Sequence, residues 1–181
     1  MIPNQWLIKT KIDSDKVNKL ISECDYREVD INEYSSVGEH SKQFNLFDTR
    51  NGFIILANYV AKTIKKELDF FNLKDYDVSS SWIVEGGDKS YHRLHRHQIT
   101  SLSETRPEES NIATVIYTDV PEKKEDRGEF YFLLKEDEDI KLTFITPEKG
   151  DMIFMPWTVY HGVYPQGPGF RRTVNIDFIK K

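Results

Sequence analysis

Three of the five histidines in this chain have a spacing that could hold a metal ion: His95 and His97 close together, then His161 at long range. Side chains two apart on a strand project to the same face, so His95 and His97 can share one ion while a separate strand brings a third imidazole. Ten residues after His161 stands Arg171, with Thr173 two further on. A guanidinium there adds something a bare metal centre does not need, a counter-charge that can clamp an anionic co-ligand through two charge-assisted bonds. His40 and His92 sit among polar neighbours and read as solvated.

Such residues need a rigid scaffold. From Val78 onward the chain breaks into short β-rich runs separated by turn and charge clusters, with candidate strands over 79–85, 91–98, 112–118, 129–134, 140–145, 151–155, 160–164 and 171–179. Eight strands suit a jelly roll, the double-stranded β-helix. The turn at Gly150-Asp151, the apolar run after it, Pro156 and then His161 would deliver an imidazole to the open end of a barrel on a rigid element. In the last strand Arg171, Thr173, Asn175 and Asp177 alternate with Val174, Ile176 and Phe178. The apolar set belongs under a helix and the polar set in the mouth of the barrel, which puts Arg171 and Thr173 in the site and Arg172 outside it. Two charged stretches, 103–110 and 121–127, read as exposed loops, the second as a hairpin connection between Tyr117 and Gly128.

Before the β-rich part, 5–12 alternates like a strand, and Ser14 can cap a short helix over 14–23 that buries Val17, Leu20 and Ile21. Residues 25–50 read as polar and irregular. Asn51 precedes the strongest helical pattern, through about Phe71, with Ile54, Ile55, Val60, Ile64, Leu68 and Phe71 at helical spacing. The expected fold is α+β, mainly β: one domain over 1–181, with a helical N-terminal part (1–75) packed on the major sheet of a β core (76–181).

Composition narrows the function. With 181 residues, a net charge of -5 and a pI near 5.6, the chain lacks the basic balance of a phosphate-backbone binder, so nucleic acid is a poor partner. Its single cysteine, Cys24, excludes an internal disulfide, and its first residues lack the apolar run of a signal peptide or membrane span. A soluble, cytoplasmic protein with no membrane contact is expected.

The run HGVYPQGPGFRRTVNIDFI over 161–179 resembles the C-terminal half of the 2-oxoglutarate and Fe(II)-dependent oxygenases, especially the prolyl-hydroxylase-like branch. NIATVIYTDV over 111–120 and Gly128-Glu129-Phe130 resemble the same family's strand and Gly-rich return. Trp82, with His95 thirteen residues later, is similar to small uncharacterised members of phage and marine-bacterial type. The resemblance implies a jelly roll that binds Fe(II) through His95, His97 and His161. It implies 2-oxoglutarate as co-substrate, held by Arg171 with hydroxyls from Thr173 and Tyr117, and O2 as oxidant. The implied reaction is oxidative decarboxylation to succinate and CO2, coupled to hydroxylation of a prime substrate. In one respect the chain departs from the pattern: His97 stands where most members carry Asp or Glu. A three-histidine centre results, unless a carboxylate such as Glu104 completes it.

A cupin-type enzyme shares the scaffold and is the main rival, since HxH, Gly150-Asp151, Pro156 and His161 match its motifs. Cupins expect a glutamate soon after HxH, where Thr100 and Ser101 stand, and they have no need of Arg171 with Thr173. A metal-free interaction module would leave the polar face of the last strand unexplained. Trp157, Tyr160 and Tyr164 are candidates for pocket walls. The prime substrate (a small molecule, an amino acid or a protein side chain) would be chosen by loops over 99–111 and 121–127 and by 25–50, which carry no readable code.

Overall fold

Strand β11 (Arg171–Lys180) runs through the middle of a large antiparallel sheet, bonded to β4 (Tyr76–Gly86) on one side and β6 (Ile112–Asp119) on the other. The computed structural model describes residues 6–30, 37–47, 52–97, 110–136 and 139–181. Beyond β6 the large sheet continues through β9 (Asp151–Pro156) to β1 (Ile8–Lys11), and beyond β4 through β3 (Ser41–Phe47) to β2 (Asp25–Val29). A second antiparallel sheet has the order β5 (His92–His95), β10 (Tyr160–Val163), β7 (Phe130–Glu136), β8 (Asp139–Ile145).

Two helices cover the large sheet. Helix α1 (Ser14–Ser22) starts one residue earlier than expected for a Ser14 cap: Asp13 is the N-cap, its side chain accepting from the Lys16 amide. Helix α2 (Gly52–Glu67) buries Leu56, Ala57, Val60, Ala61 and Ile64 on one stripe, with Lys65 and Lys66 placed favourably at its C-terminal dipole. Ile54 and Ile55, expected on that stripe, point outward and are about half exposed. The helix also stops at Glu67, so Leu68 and Phe71 are buried from the turn that follows it.

The alternation in β11 divides the interior as its pattern demands. Val174, Ile176 and Phe178 are fully buried in a core with Val17, Leu20, Leu56, Val60 and Ile64 from the helices. Burying each such side chain contributes about 1.5–3 kcal/mol. A separate core between the sheets joins Ala113, Val115 and Tyr117 of β6 to Ile153 and Met155 of β9 and to Phe130 and Phe132 of β7. Arg171, Thr173, Asn175 and Asp177 look into this inter-sheet space, and all four are buried.

Two expectations fail. Residues 25–50 are not irregular throughout, because β2 and β3 extend the large sheet beside β4. Among the described residues the N-terminal part is therefore mixed, with three strands beside the two helices. Nor is 121–127 a hairpin, since β6 and β7 belong to different sheets. The crossing is tied by the Arg127 guanidinium, which donates to the carbonyls of Pro121 (3.0 Å), Glu122 (3.0 Å) and Pro147 (3.4 Å).

Candidate metal centre

His95 closes β5 directly opposite His161 of β10, and His161 in turn faces Phe132 of β7. β5 ends at His95, so His97 is not positioned by strand alternation. Its amide donates to the Trp157 carbonyl at 3.2 Å, and its ring is held by Asp177. The three rings converge, with centroids 4.4 Å apart for His95–His161, 5.2 Å for His97–His161 and 5.7 Å for His95–His97.

Every Nδ1 of the three is engaged by an oxygen acceptor. His95 Nδ1 meets the Arg93 carbonyl at 2.8 Å, His161 Nδ1 the Val159 carbonyl at 3.0 Å, and His97 Nδ1 the Asp177 Oδ2 at 2.6 Å. An acceptor at Nδ1 requires the proton there and leaves Nε2 with its lone pair, the arrangement a metal-ligating imidazole needs. Burial pushes His95 down to about 4, helped by the nearby His97, and holds His161 well below the ordinary histidine value. Both are therefore neutral at physiological pH. One ligand atom from each histidine lies within 4.8 Å of the others. Two bonds of about 2.1 Å span at most roughly 4.2 Å, so small ring rotations suffice for one ion to reach all three.

Arg171 is buried further along the same face of β11 as Asp177. Among the described residues its guanidinium donates only to neutral groups: the Ser90 carbonyl (3.3 Å), Ser90 Oγ (3.4 Å) and the Arg127 carbonyl (3.4 Å). No acidic side chain among the described residues pairs with it. Tyr117 stands across from Thr173 in the register, fully buried, and its hydroxyl has no partner among the described residues. Burial raises the Tyr117 hydroxyl above its ordinary value, so it stays protonated as a donor. Thr173 Oγ1 accepts from Asn175 at 3.4 Å. Gly128 makes room for the guanidinium and Gly86 for the serine to which it donates. A Cβ at Gly86 would come within 2.2 Å of Ser90 Oγ, and Gly128, at φ 64, would place one 2.9 Å from Arg171 Nη1. Arg172 is taken up elsewhere, by Glu85 at 2.6 Å and Asp119 at 3.8 Å.

Beside the histidines opens a cavity of about 540 Å³, whose walls include Asn45, Ser80, Trp82, Arg96, Asn175 and Asp177. Trp82 lies 5.7 Å from the His97 ring and buried Trp157 6.2 Å from it. Trp157, Tyr160 and Tyr164 do not line this cavity. Arg96 sits over the ring of Tyr160, while Tyr164 packs on Tyr131 and Phe144, and both tyrosines are more than 40% exposed. His92 is not solvated as expected: it is half-buried on the cavity wall, 6.0 Å from His95, and burial holds it neutral. His40 is exposed. Glu104, Thr100 and Ser101 lie outside the described residues.

Sequence reading missed Asp177 as a partner of His97, although it stood in plain sight on the polar face of the last strand. It also missed Ser90, for which no local signal exists. The Gly150-Asp151 pair has a structural explanation: Asp151 is buried and takes ion pairs from Lys9 (3.0 Å) and Lys11 (2.7 Å) of β1.

The architecture, mainly β with two helices and antiparallel sheets, is the fold of solved 2-oxoglutarate and Fe(II) oxygenases. The chain is similar to a prolyl-4-hydroxylase of Pseudomonas putida, at 15% identity and a TM-score of 0.65 over 98% of this chain and 94% of that one. It is similar to the viral collagen prolyl hydroxylase of Paramecium Bursaria Chlorella virus-1, solved with 2-oxoglutarate, at 15% identity and a TM-score of 0.62 over 96% and 95%. It is also similar to HygX of Streptomyces hygroscopicus, solved with nickel and 2-oxoglutarate, at 11% identity and a TM-score of 0.61 over 98% and 84%. At these identities the likeness is one of fold. No family model matches the sequence, and no curated protein matches it. Among the described residues no helix is long and apolar enough to cross a membrane.

Proposed function

We propose that this chain is a 2-oxoglutarate- and Fe(II)-dependent dioxygenase, a single jelly-roll domain over 1–181 that hydroxylates a polar substrate. The observation that carries the reading is Arg171: a buried guanidinium with no acidic partner among the described residues, on a strand that also reaches the histidine cluster. A buried cation left uncompensated is costly, and a dicarboxylate bound there would complete it.

His95, His97 and His161 would hold the iron through Nε2. Arg171 would clamp the distal carboxylate of 2-oxoglutarate, with Tyr117 and Thr173 adding hydroxyl contacts. When bound, iron, 2-oxoglutarate and O2 together supply oxidative decarboxylation coupled to hydroxylation of a C–H bond. This chain's own residues orient the co-substrate and wall the site from water. Aromatic rings of Phe130 and Trp157 pack on the histidines away from the open cavity, whereas Trp82 lines that cavity beside His97. On the open side, Asn45 and Ser80 present hydrogen-bonding groups to the prime substrate.

The test is Fe(II)-dependent conversion of 2-oxoglutarate to succinate without prime substrate, in wild type, His161→Ala and Arg171→Ala. Weak turnover in wild type, lost in both variants, is the expected result. Metal binding with no affinity for 2-oxoglutarate would transfer the protein to the cupin-type reading.

A further inference from the structure

We propose that Asp177 supplies this metal centre with its carboxylate from outside the coordination sphere, through His97. The inference rests on the three-histidine reading of the site. Three neutral imidazoles leave the full charge of a divalent ion in a buried pocket, whereas two imidazoles and one carboxylate would leave one unit less. Asp177 restores that lower total at one hydrogen bond's remove. Its Oδ2 lies 2.6 Å from His97 Nδ1, on the far side of the ring from the atom that would meet the metal. A carboxylate at Nδ1 fixes the tautomer and ring orientation and makes Nε2 a stronger donor.

The surroundings of Asp177 argue that it does more than hold a ring. Its side chain is 6% exposed, and that of His97 9%. Apart from His97, its partner is Ser80 Oγ at 3.4 Å, and Oδ1 is buried with no hydrogen bond among the described residues. No lysine or arginine among those residues forms an ion pair with it. A carbonyl oxygen suffices to hold the other two rings, as the Arg93 and Val159 carbonyls do for His95 and His161, so a carboxylate at His97 brings a negative charge that orienting the ring does not require. That charge attracts a dication on the other side of the His97 ring. Burial of Asp177 and occupancy of the metal site are thus coupled through that ring, and each should stabilise the other.

The experiment compares chelator-stripped wild type, Asp177→Asn, Asp177→Glu and His97→Ala, each titrated with Co(II) and followed by calorimetry and visible absorption. Asp177→Asn keeps the shape and can still accept a hydrogen bond but carries no charge. The expected loss of Co(II) affinity is about 10–100-fold, with the wild-type band intensity retained because all three imidazoles still bind. Asp177→Glu should recover part of the loss. The gain in Tm on adding Co(II) should be smaller for Asp177→Asn than for wild type. Wild-type affinity in Asp177→Asn would overturn the inference. So would a spectrum altered as much as that of His97→Ala, which would make Asp177 a direct ligand. Absence of Co(II) binding by wild type would instead overturn the metal-centre reading beneath it.

Discussion

Replacing Arg171 by methionine should separate the co-substrate clamp from everything else in the site. The guanidinium is buried and, among the described residues, donates only to carbonyl and hydroxyl oxygens, so its charge is available to a carboxylate. Truncating one partner of a buried, hydrogen-bonded charge pair costs roughly 2–5 kcal/mol. Here the lower half of that range applies, because the hydroxyls of Ser90, Tyr117 and Thr173 remain to serve the carboxylate. At about 2–3 kcal/mol, the 2-oxoglutarate Kd should rise about 30–150-fold. The assay is calorimetric titration of Ni(II)-loaded protein with 2-oxoglutarate and with 2-oxopentanoate, in which a methyl group replaces the distal carboxylate. Wild type should prefer 2-oxoglutarate by that same factor, and Arg171→Met should bind the two within about threefold. Metal-free Arg171→Met should melt no lower than wild type, since it removes an uncompensated buried cation. A variant that keeps the preference, or a wild type that has none, would refute the clamp.

Three further outcomes follow from the geometry. His95 is held at about 4 in the fold and returns to about 6.5 on unfolding, so between these values the unfolded chain binds more protons; denaturant stability of the metal-free protein should fall as pH drops through that window, and equal stability at its two ends would contradict the buried-neutral assignment. Gly128→Ala forces a side chain into φ 64 and puts its Cβ 2.6 Å from the Tyr164 carbonyl and 2.9 Å from Arg171 Nη1; calorimetry should show 2-oxoglutarate affinity lowered at least about tenfold, with Co(II) binding unchanged. Phe178→Ala empties a fully buried position under the helices and should cost about 3–5 kcal/mol in denaturant melts, while the folded fraction still binds one equivalent of Co(II).

The sequence alone determined what depends on local period. Alternation over Arg171–Lys180 is a property of consecutive residues, so its two faces could be assigned before any partner strand was known, and the helix-side core with Val174, Ile176 and Phe178 follows the assignment. Motif spacing likewise singled out His95, His97 and His161, which the structure brings together. Strands β2 and β3 were illegible because they lie toward the margin of the sheet, where Arg27, Glu28, Lys42 and Asn45 satisfy the ladder with backbone alone and need no apolar period. Only the tertiary structure decided that Asp177 backs His97, 80 positions away, and that Ser90 holds Arg171, 81 positions away. Such pairs depend on strand register and on how closely two sheets approach. Those distances are set by packing across the whole interior, and no stretch of consecutive residues encodes them.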